Sequence, residues 1–155
     1  MKLRNIKNLP VFDQSQAGIV AKVNKAVVSH NSKIAFLIVE NDRGDLGLIE
    51  RNDFSLTEEA VIIKSDMSIK PYYNGEELSM QDEKIGDTIY SLEGRELGTV
   101  SDLVVSLEKK EICAVEISDG AIKDILEGRD KIPINKVLWK NEMNALVKDE
   151  GTERK

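Results

Sequence analysis

Residues 94–117, GRELGTVSDLVVSLEKKEICAVEI, decide the fold. Val100, Leu103 and Val105, then Ile112, Ala114, Val115 and Ile117, form two apolar runs of strand length around a short polar segment, Leu107–Glu111. That pattern predicts a β-hairpin. Leu97-Gly98 stands just before the first run, and a glycine there predicts a bend or bulge that a side chain would hinder. A curved strand suits a small barrel better than a flat sheet.

A fainter version of the same unit occurs at residues 14–39, QSQAGIVAKVNKAVVSHNSKIAFLIV, so the chain reads as one β unit written twice. Setting Gly18 on Gly98 matches Leu9 with Ile89, Phe12 with Leu92 and Val20 with Val100. About three extra residues then follow Val20, after which KIAFLIVE runs beside EICAVEIS. The units also close alike. Residues 48–63 beside 133–147 pair Ile49 with Ile134, Phe54 with Trp139, Ala60 with Ala145 and Ile62 with Val147. This predicts a strand end, a helical turn that points an aromatic inward, and a final strand. A Trp139 that plugs its barrel would cost about 3–5 kcal/mol on truncation to alanine.

The connections differ. NDRGDLG at 41–47 predicts a tight polar turn, whereas SDGAIKDILEGRDK at 118–131 is longer and carries Ile122, Ile125 and Leu126 at helical spacing, with Gly128 as a stop. Between the units, residues 64–84 hold Pro71, Tyr72, Tyr73 and an Asn74-Gly75 turn signal. Two tyrosines favour a structured bridge, since aromatic area is usually buried. At the start of the chain, Leu3 and Ile6 are the inward contacts expected of a first short strand.

The composition, 41% hydrophobic and 32% charged over 155 residues, is that of a globular chain with room for two small units. No apolar run approaches the roughly 20 residues of a membrane-spanning helix, and MKLRNIKNLP lacks the apolar core of a secretory signal, so a cytoplasmic location is expected. Cys113 is the only cysteine and lies in an apolar run, where it is expected to act as a small buried hydrophobe. Residues 1–76 carry ten basic and ten acidic side chains, leaving 12 against 18 for the remainder; the whole net charge of −6 falls there. An acidic second half counts against tight binding of phosphate backbones.

No motif announces chemistry. His30, the sole histidine, sits in a polar turn without a second ligand beside it. The carboxylates of NDRGD and SDGAIKD are ordinary turn chemistry without the ligand spacing of an EF-hand. No glycine-rich phosphate loop is present. No catalytic, cofactor-binding or metal-ligating residue is therefore expected, and the chain is expected not to be an enzyme. Lys2, Arg4 and Lys7, with Arg129, Lys131, Lys136 and Lys140, read as solvated surface charges or, if gathered on one face, as contacts for RNA.

The order of strand, glycine, LGTVSDLVVS, polar turn, apolar strand, IPINKVLW and NALV resembles the PRC-barrel domain. This is the fold of the cytoplasmic part of the photosynthetic reaction-centre H subunit and of the C-terminal half of a ribosome maturation factor. Gly94, Gly98, Val100, Asp102, Pro133 and Val137 carry the resemblance over residues 84–149. Residues 2–66 resemble a degenerate copy, with Lys22 in place of Asp102 and Leu48 in place of Pro133. Residues 67–83 form the bridge.

The resemblance implies an all-β protein of two tandem small barrels with short helical turns, acting as an interaction platform and sharing no common reaction. The expected partner is another protein or complex. The expected contact residues lie on the unequal loops: Tyr72, Tyr73, Ile122, Ile125, Leu126 and Arg129. An accessory role in ribosome or RNA maturation, and a small molecule held between the barrels, stay open as alternatives.

Overall fold

In the computed structural model, residues 1–72, 84–118, 130–139 and 144–147 are described. The protein is all-β and divides into two compact units, one of residues 1–80 with 105–111, the other of 81–104 with 112–155. Short 3₁₀ turns at Arg51–Asp53 and Ile134–Lys136 supply the helical turns expected in the closing segments, and two more lie at Leu3–Asn5 and Asp66–Ser68.

The first sheet contains β1 (Pro10–Asp13), β2 (Gly18–Val28), β3 (Ile34–Glu40), β4 (Leu46–Glu50), β5 (Ser55–Leu56), β6 (Val61–Ile63) and β7 (Lys70–Pro71), in the order β5-β6-β1-β2-β3-β4-β7. The second contains β8 (Thr88–Ser91), β9 (Glu96–Ser106), β10 (Glu111–Ser118), β11 (Asp130–Pro133), β12 (Val137–Trp139) and β13 (Asn144–Val147), in the order β11-β10-β9-β8-β13-β12. Apart from β7, the second order is the first read from its other end, strand for strand. The parallel contact recurs as well, β1 beside β6 and β8 beside β13.

The hairpin expected at 94–117 is β9–β10, and its apolar residues form the core. Val100, Leu103, Val105, Ile112, Val115 and Ile117 are buried. The expected irregularity at Gly98 is also present: β8 faces Gly98 from Ile89 but Glu96 from Tyr90, so Leu97 is an extra residue on β9. Gly98 has φ +144°, and a Cβ there would stand 2.5 Å from the Ser118 carbonyl oxygen. Only glycine fits this close crossing of strands.

The register of the repeat differs from the sequence match. Val11 pairs with Ala21 and with Val61, while Ile89 pairs with Gly98 and with Ala145. Ala21 and not Gly18 is thus the counterpart of Gly98, and Lys22 corresponds to Thr99. Both units bulge at this point, since Phe12 faces Ile19 where Val11 faces Ala21. Apolar phase alone misses this, because a bulge shifts the register without changing which residues are buried.

The closing segments slip in the same way. Leu37 pairs with Ile49 and Val115 with Ile132, which makes Ile49 the counterpart of Ile132 and Glu50 that of Pro133. Phe54 then corresponds to Val137, and both are buried. Trp139 takes the place of Leu56, facing Ala145 as Leu56 faces Val61. It is half-buried with the Lys84 ammonium 5.1 Å from its ring centroid, and the inward plug of this turn is Val137.

Two further expectations are corrected. Leu3 and Ile6 are buried as anticipated, but a 3₁₀ turn and not a strand carries them. Cys113 is exposed, because β10 turns Ile112 and Val115 inward and position 113 outward. The Ile122, Ile125 and Leu126 segment, with its expected helical turn, lies outside the described residues.

Candidate docking groove

The site is built on the β3–β4 turn. NDRGDLG is the tight polar turn that its sequence predicts. Asn41 Oδ1 accepts from the backbone N–H of Arg43 (3.0 Å) and Asp45 (2.9 Å), and the Asn41 N–H donates to the Asp45 carbonyl at 3.0 Å. An asparagine that satisfies two backbone donors fixes the turn. The side chains of Asp42, Arg43 and Asp45 are thereby left facing solvent.

On one side of this turn lies an open groove of about 590 Å³. Val20, Val39, Leu46, Ile69 and Pro71 supply its apolar lining, with Asp42, Asp45, Asp66, Arg43 and Lys70 as charges of both signs. A second concavity, which holds Ile19 and Pro10, shares Ala21, Asn41 and Asp42 with the first, so the turn is a ridge between them. Leu46 is 41% exposed and Ile19 61%. Large apolar side chains left in solvent at a charged rim mark a surface suited to contact with another molecule.

Three local features hold the groove open. Gly47 in β4 is packed so closely that a Cβ would stand 2.5 Å from Ile69 Cγ2 and 3.3 Å from the Lys70 carbonyl oxygen, which sets the 69–71 wall against β4. Lys70 Nζ lies 3.0 Å from Glu50 Oε1, an exposed pair that orients the wall more than it stabilises it. Next to the lining residue Gln16, Asp13 is fully buried and accepts from Ser15 N–H (2.8 Å), Ser15 Oγ (2.6 Å) and Gln16 Nε2 (3.0 Å). The Ser15 hydroxyl chiefly, with the neighbouring backbone N–H groups and Gln16, holds the Asp13 carboxyl below the ordinary aspartate range. Asp13 thus fixes Gln16, a lining residue of the groove.

Of the expected contact residues, Tyr72 is described. It is half-buried beside the groove wall, its ring 6.4 Å from that of Phe36. Tyr73, Ile122, Ile125, Leu126 and Arg129 lie outside the described residues. His30 is exposed in its turn, and among the described residues no three His, Cys, Asp or Glu side chains gather as a metal site. Arg4, Lys7 and Lys131 are exposed, whereas Lys2 and Lys136 are half-buried. The groove itself escaped the sequence because Leu46 read as part of the polar turn at 41–47 and Ile69 as part of the bridge at 64–84, with nothing local to bring them together.

Among the described residues no helix is long and apolar enough to cross a membrane. No curated protein matches the sequence. Residues 81–143 match the family model described as the PRC-barrel domain. That segment contains β8 to β12, with the bulge at Gly98 that curves the sheet. Residues 81–143 are therefore similar to the PRC-barrel domain, and the first sheet repeats the strand order of the second outside the matched segment.

Proposed function

We propose that this protein is a non-enzymatic docking module in which the groove beside the 41–45 turn receives an extended segment of another protein. The observation that carries the reading is the exposed Leu46 over an apolar floor, rimmed by Asp42, Asp45, Asp66, Arg43 and Lys70. An apolar anchor encircled by charges of both signs suits a peptide side chain with flanking polar contacts. A PRC-barrel domain in the same chain is compatible with such a role.

The test places a photo-crosslinking amino acid at position 46 and exposes the protein to native lysate at low and high salt, with and without ribonuclease. The expected result is one discrete protein adduct that resists salt and ribonuclease and disappears when Ile69 is replaced by aspartate. Adducts abolished by ribonuclease would replace this reading with an RNA-associated one. Adducts unaffected by Ile69→Asp would remove the groove from the binding surface.

A further inference from the structure

The hairpin tip 105–111 belongs to the compact unit 1, although β9 and β10, which carry it, continue into unit 2. Two cations close it there, each bonded to the other's backbone. Arg51 Nη1 donates to the Lys110 carbonyl at 2.9 Å, and Nη2 to the Lys109 carbonyl. In return Lys110 Nζ donates to the carbonyls of Arg51 (2.6 Å) and Phe54 (2.7 Å), and stands 4.9 Å from the Phe54 ring centroid. Lys110 takes φ +53°, a conformation that costs a non-glycine residue energy unless its surroundings enforce it.

The Met1 ammonium also donates to the Val105 carbonyl at 3.3 Å. The Ile34 N–H donates to the Lys110 carbonyl at 3.0 Å, Lys33 bridges Glu111, and the Val105 N–H donates to the Met1 carbonyl at 2.7 Å. Beneath them Ile34 and Phe54 are buried. Like charges side by side are unfavourable, and here the four carbonyl acceptors offset the repulsion. Burial first, and then the Arg51 charge, pull the Lys110 ammonium below its ordinary value, with Asp53 opposing them.

We propose that residues 105–111 form a releasable strap, closed over Phe54 by the reciprocal Arg51–Lys110 lock, that opens as one element while the rest of both sheets stays folded. Closed, it occupies the Ile34 N–H and shields Phe54; open, it presents both to solvent or to a partner. The asymmetry of the bonding supports this. Charge-assisted side-chain bonds close the tip over Phe54, whereas backbone ladders hold the sheets.

Amide hydrogen exchange on the full-length protein tests the strap. Replacing Lys110 or Arg51 by methionine keeps the aliphatic stem and removes the charge. Either variant should accelerate exchange at Ile34 and Val105 by tenfold or more while leaving Val23, bonded to Leu9, and Val100, bonded to Asp87, unchanged. The double variant should add little to either single one, because each half of the lock needs the other. Lys109→Met removes an equal but exposed charge and should change none of these amides.

Unchanged exchange at Ile34 in a folded Lys110→Met protein would overturn the proposal, as would equal acceleration at all four amides. The wild-type protein gives a second measurement that needs no variant. In low urea, Ile34 and Val105 should share one opening with a shallow denaturant dependence, distinct from that of Val23. If both exchange only together with Val23, there is no separate strap.

Discussion

Gly98 crosses so close to Ser118 that a Cβ would lie 2.5 Å from the Ser118 carbonyl oxygen and 2.6 Å from Ile117 Cγ2. The β9 bulge and the β9–β10 pairing therefore depend on a missing side chain. Gly98→Ala should cost about 3 kcal/mol or more, since backbone strain of about 1–3 kcal/mol adds to overpacking of similar size. Gly94 also has positive φ, but a Cβ there meets nothing within 4 Å. Gly94→Ala should cost only about 1–2 kcal/mol. Urea denaturation of both variants compares them, and equal losses would show that the close crossing contributes nothing.

Two buried aspartates should respond to pH with opposite signs. Asp13 titrates below the ordinary aspartate value of 3.8 because Ser15 and its neighbours bond the charged form. The unfolded chain then holds the proton more tightly, so Asp13 contributes stability above that value and loses it as pH falls through the depressed one. Burial raises Asp87, with Lys84 partly opposing, and its Oδ2 has no hydrogen-bond partner. Here the folded state holds the proton more tightly, so stability declines as pH rises from 3.8 through the raised value. Asp13→Asn should destabilise most at neutral pH, whereas Asp87→Asn should stabilise at neutral pH and converge on wild type in acid. Stability measured by denaturant across this range decides both, and two curves of the same sign would contradict the assignment.

Trp139 stands where unit 1 has Leu56, half-buried and under the Lys84 ammonium. Trp139→Leu should therefore be tolerated at less than about 1.5 kcal/mol. Trp139→Ala should cost about 2 kcal/mol, below the range of a fully buried aromatic. Thermal unfolding followed by circular dichroism measures both. A loss above about 4 kcal/mol for the alanine variant would restore the plug that the sequence suggests.

Cys113 should react with an aromatic disulfide reagent in native buffer, one thiol per chain, as fast as a small free thiol does. Its exposure on the outer face of β10 gives the reagent access without unfolding. Cys113→Ser should shift stability by no more than about 0.5 kcal/mol. A thiol that reacts only in denaturant would show position 113 to be covered.

The hairpin, the bulge at Gly98 and the doubled architecture were legible because each rests on local chemistry. β-Branched runs define strands, and glycine marks where a backbone must pass another. The register between the repeats was not legible. Placing Gly18 on Gly98 looked sound because both glycines precede apolar runs, yet pairing through Val11 and Ile89 puts Ala21 there. Hydrogen-bond partners across strands fix register, and a bulge changes them without disturbing the apolar phase.

By itself the sequence determined an all-β chain, its turns, most of its core and its likeness to the PRC-barrel domain, since side-chain periodicity and turn residues act over a few neighbours. Tertiary structure alone decided that Leu46, Ile69 and Pro71 line one groove, that Asp13 is buried beneath Gln16, and that Arg51 and Lys110, 59 positions apart, close on each other. The physical reason is shared by all three. Burial and charge partnership arise from residues brought together through sheet pairing, and no local pattern along the chain encodes which distant carbonyl a given cation will find.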